Sequence, residues 1–133
     1  NVYNDLQSPV LAVERLPADQ LSQYGVIDAE QIRDGVYKIL DLIEKPKSDE
    51  APSDLAIIGR YVLTPNIFSI LDTTQPDTKG EVQLTDALRE LVRTQPIYAC
   101  EINGVRHDTG NKPGFLRATT YFAQRQFDLD GPF

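Results

Sequence analysis

Glu44 and Lys45 stand side by side at the end of an apolar run, Val36 to Ile43, and Pro46 follows them. A carboxylate and an ammonium enclosed at the end of a core strand are costly without partners. At the mouth of a cleft the same groups can hold a polar ligand. The lysine would meet an anion and the glutamate would accept hydrogen bonds from hydroxyls. A cation about 4 Å from an anion is worth roughly 4 kcal/mol at a surface-like dielectric, before desolvation is subtracted. Proline ends the ladder at this point, because it has no N–H and its φ is fixed. Neighbours on a strand face opposite sides, so a simple ion pair along one face is not expected. Either one group points to solvent, or the strand end is distorted and both approach a ligand. On residue types alone, a solvated charged strand end is the commoner use of such a pair.

Three further features could take part in the same chemistry. Gly25, after Tyr24, is either a turn into a strand or a place where a sugar or base packs against bare backbone. Gly59, inside an apolar run, is either a bulge or a wall cut away for a ligand. Asp108-Thr109-Gly110 has three readings. It is a plain turn, the commonest use of Asp and Gly. It is the triplet of a dimeric aspartic protease, in which two carboxylates share a proton. Or Asp108 is a hard oxygen ligand for Mg²⁺, which takes one or two carboxylates plus phosphate oxygens. The protease triplet follows an apolar strand in an all-β fold. Here Arg106 and His107 precede it and a helical pattern follows, which weighs against that reading. Arg60 and Lys112 are nearby cations, a type more often exposed than ligated, and His107 reads as a packing or hydrogen-bonding residue rather than a catalyst.

The elements that must carry these residues follow from hydrophobic period and turn signals. Pro9 to Val13 predicts a buried strand, Leu16 to Gln23 a turn or short helix, and Tyr24 to Asp28 a second strand. Asp34-Gly35, between apolar runs, predicts a hairpin into the strand Val36 to Ile43. Lys47 to Asp54 is a polar loop. Leu55 to Leu63 is the most apolar run and predicts a central strand interrupted at Gly59. Thr64-Pro65 reads as a cap and a helix-starting proline, with Ile67, Ile70 and Leu71 behind it. Thr73 to Gly80 is a polar loop. Thr85 is the expected cap of a helix with Leu88, Leu91 and Val92 on one face. Ile97 to Ile102 and Val105 to Asp108 are expected strands on either side of the turn Asn103-Gly104. Phe115, Ala118, Thr119 and Phe122 repeat at helical spacing in a closing helix. The pattern is α/β with a mixed sheet.

Composition narrows the function. A chain of 133 residues is long enough for one domain. Its net charge of −7, with no long basic run, disfavours nucleic-acid binding, which needs phosphate neutralisation. No apolar run approaches a membrane span, so no membrane is expected, and the cytoplasm is the default compartment. Cys100 is the only cysteine and His107 the only histidine, so neither an internal disulfide nor a Cys/His zinc site is expected. Asn1 to Gln7 has no initiator methionine and reads as the end of a helix already under way.

Taken together, these pieces resemble the bacterial UTP–glucose-1-phosphate uridylyltransferases, within the sugar nucleotidyltransferases. The matching stretches run from Tyr24 to Asp28, Glu44 to Lys47, Ala51 to Tyr61, Gly80 to Ala87 and His107 to Lys112, in family order. Any one would be weak. Glu44 to Tyr61 followed by Gln83 to Ala87 is specific.

The resemblance implies a Rossmann-like nucleotide-diphospho-sugar transferase fold. It implies formation of UDP-glucose and pyrophosphate from UTP and glucose 1-phosphate, with Mg²⁺. By position, Glu44 resembles the residue that binds sugar hydroxyls, and Lys45 the lysine that contacts the sugar phosphate and serves catalysis. Gly25 resembles the glycine whose backbone lines the sugar pocket, Gly59 a second wall, and Asp108 one of two metal aspartates. The family's Gly-rich triphosphate segment and first metal aspartate have no counterpart in Asn1 to Leu21. Residues 1–133 are therefore expected to be the carboxyl-terminal, sugar-binding part, inactive alone, with an exposed sheet edge. Self-association, or association with an amino-terminal part, would cover that edge. A non-catalytic sugar-nucleotide-binding or assembly module is the alternative.

Overall fold

The computed structural model describes residues 2–126. They form five strands and five helices. In chain order these are α1 (Val2–Leu6), β1 (Val10–Arg15), α2 (Ala18–Leu21), β2 (Gly25–Arg33), β3 (Val36–Glu44) and β4 (Leu55–Val62). They continue with α3 (Asn66–Leu71), α4 (Leu84–Thr94), β5 (Tyr98–Glu101) and α5 (Lys112–Gln126). The chain divides after Ile102 into two compact units, the first holding all five strands and the second holding α5.

The mixed α/β architecture expected from the sequence is present. β1 and β5 run parallel, and the other pairs are antiparallel. The strand order is β1-β4-β2-β3-β5, and β5 returns to β1, so the sheet closes on itself. Each described strand thus has a neighbour on both sides, and the open edge expected from the sequence is replaced by a ring. The closure is loose at one seam, where β2 meets β4 through the single pair Val26↔Ala56.

Local sequence explains the main elements. Gly35, at φ +63°, closes the two-residue turn of the β2–β3 hairpin, with Arg33 opposite Val36. Leu11 and Val13 of β1 meet Ile27, Ile39, Leu42, Leu55 and Ile57 in the interior. α4 covers this core with Ala87, Leu88 and Leu91, while Arg89, Glu90 and Arg93 stay outside. Arg89 forks onto Asp41 with two hydrogen bonds of 2.7 Å, tying α4 to β3. The neighbouring guanidinium, with the Leu42 N–H, holds the Asp41 carboxyl below its ordinary range. Leu88→Ala should cost about 2–5 kcal/mol in a denaturant titration, because Leu88 is fully enclosed. Leu40→Ala, at a half-exposed position, should cost under about 1 kcal/mol.

Four expectations are corrected. The run from Leu55 to Leu63 is buried only over Leu55–Ile57, and Gly59 to Val62 is exposed. Its pairing slips where Leu11 faces Tyr61 but Val13 faces Ile57, so a bulge lifts the outer half away from the core. Val105 to Asp108 is not a strand; its one aliphatic residue, Val105, is 62% exposed, so no burial draws the segment into the sheet. Thr64 does not cap α3 with its side chain; its hydroxyl oxygen accepts the Gln95 amide at 3.1 Å. Thr85 is not the cap of α4 either, because the helix begins one residue earlier, at Leu84. A short helix, α1, occupies Val2–Leu6, and Asn1 lies outside the described residues.

Candidate functional site

The end of the β2–β3 hairpin opposite its turn brings the predicted residues together. Gly25 opens β2 and lies across from Glu44, the last residue of β3. The ladder then stops, as Pro46 requires, and Lys45 takes φ +46°. A left-handed backbone is uncommon for a residue with a Cβ and stores strain of about 1–3 kcal/mol. The Lys45 N–H donates to the Tyr24 carbonyl at 3.1 Å, which fixes the turn.

This distortion corrects one expectation and supports its alternative. Regular strand geometry would send Glu44 and Lys45 to opposite faces, yet Lys45 Nζ lies 3.4 Å from Glu44 Oε1. The left-handed residue swings the ammonium round to the carboxylate's side. Lys45 remains more than half exposed, so this ion pair adds little to stability.

Gly25, Glu44, Lys45 and Gly59 all line one cleft of about 400 Å³. A Cβ on Gly25 would come within 3.1 Å of Glu44 Oε2, 3.2 Å of Ile57 Cδ1 and 3.3 Å of Thr85 Oγ1. Any larger residue there would have to push these side-chain tips aside by a few tenths of an ångström, so glycine fits the close approach best. At Gly59 the reason differs: a Cβ would meet nothing within 4 Å, but φ is +75°. That position is the bulge in β4, and it also forms part of the cleft wall.

Several lining residues escaped the sequence reading as site residues. The Thr85 hydroxyl donates to Glu44 Oε2 at 2.7 Å. Tyr61 lines the cleft beyond Gly59, and desolvation, then the Glu44 charge, push its phenol up from the ordinary value. Gln23, Tyr24 and Gln83 complete the polar rim. Gln83 is steadied from behind, because its amide donates to Asp77 Oδ2 at 2.9 Å. The Glu81 N–H, the Gln83 amide and the Lys79 N–H together hold the Asp77 carboxyl low. The available signal is the stretch Gly80 to Ala87, in which Thr85 reads from sequence as a helix cap. Arg60 is exposed on β4 and is not part of the cleft lining.

Asp108 belongs to the second unit. It sits in an exposed loop, and its Oδ1 accepts the Gly110 N–H at 2.9 Å, an Asx-type turn. Asn111 caps α5 by accepting the Gly114 N–H at 2.8 Å. A hollow of about 470 Å³ beside this loop is lined by Thr109 to Lys112, Phe115 and Leu116. His107 packs in the same unit against Tyr121, with ring centroids 4.5 Å apart, as a packing residue should. The loop runs directly into a helix of 15 residues, unlike the all-β setting of a protease triplet. Among the described residues, no three His, Cys, Asp or Glu side chains gather to hold a metal ion. No helix among them is long and apolar enough to cross a membrane.

The sequence and the fold both have relatives. The nucleotidyl transferase family model matches residues 5–125. The UTP–glucose-1-phosphate uridylyltransferase of Pseudomonas aeruginosa is 41% identical over 120 residues, 90% of this chain and 43% of that protein. A putative enzyme of the same name from Methanocaldococcus jannaschii is 45% identical over 118 residues, covering 89% and 42%. A crystal structure of a UDP-glucose pyrophosphorylase complexed with UDP-glucose superposes with a TM-score of 0.88 at 41% identity. That match covers 94% of this chain and 48% of the other. An apo UDP-glucose pyrophosphorylase gives 0.91 at 40% identity, covering 95% and 46%. The chain spans less than half the length of each of these relatives.

Proposed function

The chain belongs to the nucleotidyl transferase family, and from that premise we propose that it carries the sugar-phosphate site of an enzyme making UDP-glucose. The reaction joins UTP and glucose 1-phosphate and releases pyrophosphate. The observation that carries this reading is the convergence of Gly25, Glu44, Lys45 and Gly59 on one cleft. Its specificity for glucose and uridine draws on relatives of 41–45% identity that bear that name.

The chemistry asks for positioning and charge neutralisation. A phosphate oxygen of glucose 1-phosphate attacks the α-phosphorus of UTP in line. A new O–P bond forms, and the bond to the bridging α–β oxygen breaks as pyrophosphate leaves. No covalent enzyme intermediate is needed. Lys45 turns from Glu44 to the sugar phosphate and offsets its repulsion from the triphosphate. Glu44 accepts sugar hydroxyls, and a hexose lacking the expected hydroxyl leaves that acceptor unpaired. Gly25 lets the sugar lie against backbone, and Gly59 keeps the opposite wall open.

Magnesium is the proposed cofactor, with Asp108 as one ligand. The donor fits: it is an exposed hard oxygen, with Oδ1 already oriented by Gly110. One carboxylate beside phosphate oxygens and water is an ordinary magnesium set. When bound, the ion would neutralise charge developing on the transferred phosphoryl group. The triphosphate grip and a second carboxylate are proposed to come from an amino-terminal part. On this reading residues 1–133 bind sugar nucleotide but do not turn over alone.

The test measures pyrophosphate release by the full-length protein with UTP and glucose 1-phosphate, and UDP-glucose binding by the 133-residue chain in a calorimeter. Product formation that stops when glucose 1-phosphate is omitted is the expected result. Release that is indifferent to the sugar phosphate, or absent at saturating substrate, would defeat the reading.

A further inference from the structure

Glu44 cannot read a sugar hydroxyl unless its carboxylate is held in one orientation, and the residue that holds it lies on another element. Thr85 is in the first turn of α4, 41 residues further along the chain, with only 9% of its surface exposed. Its hydroxyl donates to Glu44 Oε2 at 2.7 Å, a charge-assisted bond of good length. The other oxygen, Oε1, is the one beside Lys45 Nζ.

The surroundings make this contact specific. Gly25 leaves just enough room, since a Cβ there would press on both Glu44 Oε2 and Thr85 Oγ1. All four residues line the same cleft. β3 and α4 also pack together away from the site, through Leu42, Leu88 and the Arg89–Asp41 fork. The Thr85 bond is therefore not needed to dock the helix, and its removal leaves that packing intact.

We propose that Thr85 is a positioning residue for sugar recognition, locking Oε2 of Glu44 so that Oε1 alone is presented to the hexose. The inference rests on the reading of Glu44 as the sugar-hydroxyl acceptor. Without the lock, the carboxylate turns over a broad range about its terminal bond, the side chain can change rotamer at χ1 and χ2, and the acceptor spends part of its time away from the ligand. A hydrogen bond to a charged group of this kind corresponds to roughly 10- to 100-fold in binding. The loss should fall on the sugar substrate and spare the nucleotide. Threonine's methyl group is not part of the argument, so serine should serve as well.

The experiment compares Thr85→Val, Thr85→Ser, Glu44→Gln and the double variant Thr85→Val/Glu44→Gln in the full-length protein. It reads KM for glucose 1-phosphate, KM for UTP and the melting temperature. Thr85→Val is expected to raise KM for glucose 1-phosphate about 10- to 100-fold with KM for UTP within twofold. Thr85→Ser should return it to within about threefold of the parent. The double variant should be no worse than Glu44→Gln alone, because the two residues act as one unit. If Glu44→Gln weakens sugar binding while Thr85→Val does not, this inference fails and the functional reading survives. It also fails if the two losses multiply, or if both KM values and the melting temperature shift together without rescue by serine. If Glu44→Gln leaves sugar binding unchanged, the functional reading fails and takes this inference with it.

Discussion

Lys45→Ala in the full-length protein is expected to lower turnover by roughly 10²- to 10³-fold, the usual loss when one preorganised charge partner of a transition state is removed. The Coulomb term agrees: about 4 kcal/mol for an ion pair near 4 Å at a surface-like dielectric is close to three powers of ten. Lys45 can deliver that effect because it lines the cleft, with its ammonium 3.4 Å from Glu44. Lys45→Arg keeps the charge but presents a planar fork in place of a compact cation, so it should recover only part of the rate. Lys47→Ala is the control. Lys47 is 78% exposed and pairs with Glu50, so its loss should leave turnover within about twofold. Stopped-flow or coupled pyrophosphate assays at saturating substrates check all three. Near-normal turnover by Lys45→Ala would remove the residue from catalysis.

Gly114→Ala should be nearly as damaging, although the residue carries no functional group. It lies in the first turn of α5, and a Cβ there would overlap the carbonyl of Asp108. The obstacle is backbone, which cannot swing aside as a side-chain tip can. The loop from Asp108 to Asn111 must move off the helix, or the first turn must open and lose the Asn111 cap. Overpacking of this kind costs about 1–3 kcal/mol. The expected outcome is a lower melting temperature and a raised Mg²⁺ requirement, read as the magnesium concentration giving half-maximal rate. Gly110→Ala is the milder comparison, since its Cβ would approach only the movable Asp108 Oδ1, at 3.1 Å. Unchanged magnesium dependence in Gly114→Ala would separate the Asp108 loop from metal binding.

Much of this was legible in residue types. Asp34-Gly35 marks its hairpin because few residues adopt positive φ, and the structure turns there. The apolar runs mark β1, β3, β5 and the buried half of β4 because burial selects them. Glu44, Lys45, Gly25 and Gly59 come together as one site only through the family resemblance, because residue types alone favour a solvated strand end, a turn and a bulge at these positions. What stayed hidden depends on contacts distant in sequence. Nothing local to Thr85 separates a helix cap from a donor to Glu44, since a hydroxyl serves either. The exposed outer half of β4 follows from a register slip against β1, which needs the partner strand to exist. The Glu44–Lys45 pair required a backbone conformation that propensity argues against.

That left-handed lysine has a consequence for anyone redesigning the chain. Glycine occupies such a backbone without the steric strain, at an entropic cost smaller than that strain, so Lys45→Gly would relax the hairpin terminus and raise its tolerance to heat while discarding the charge. On the role proposed for Lys45, selection for robustness and selection for chemistry pull opposite ways at one codon. A sequence optimised for melting point alone would silence the site first at this position.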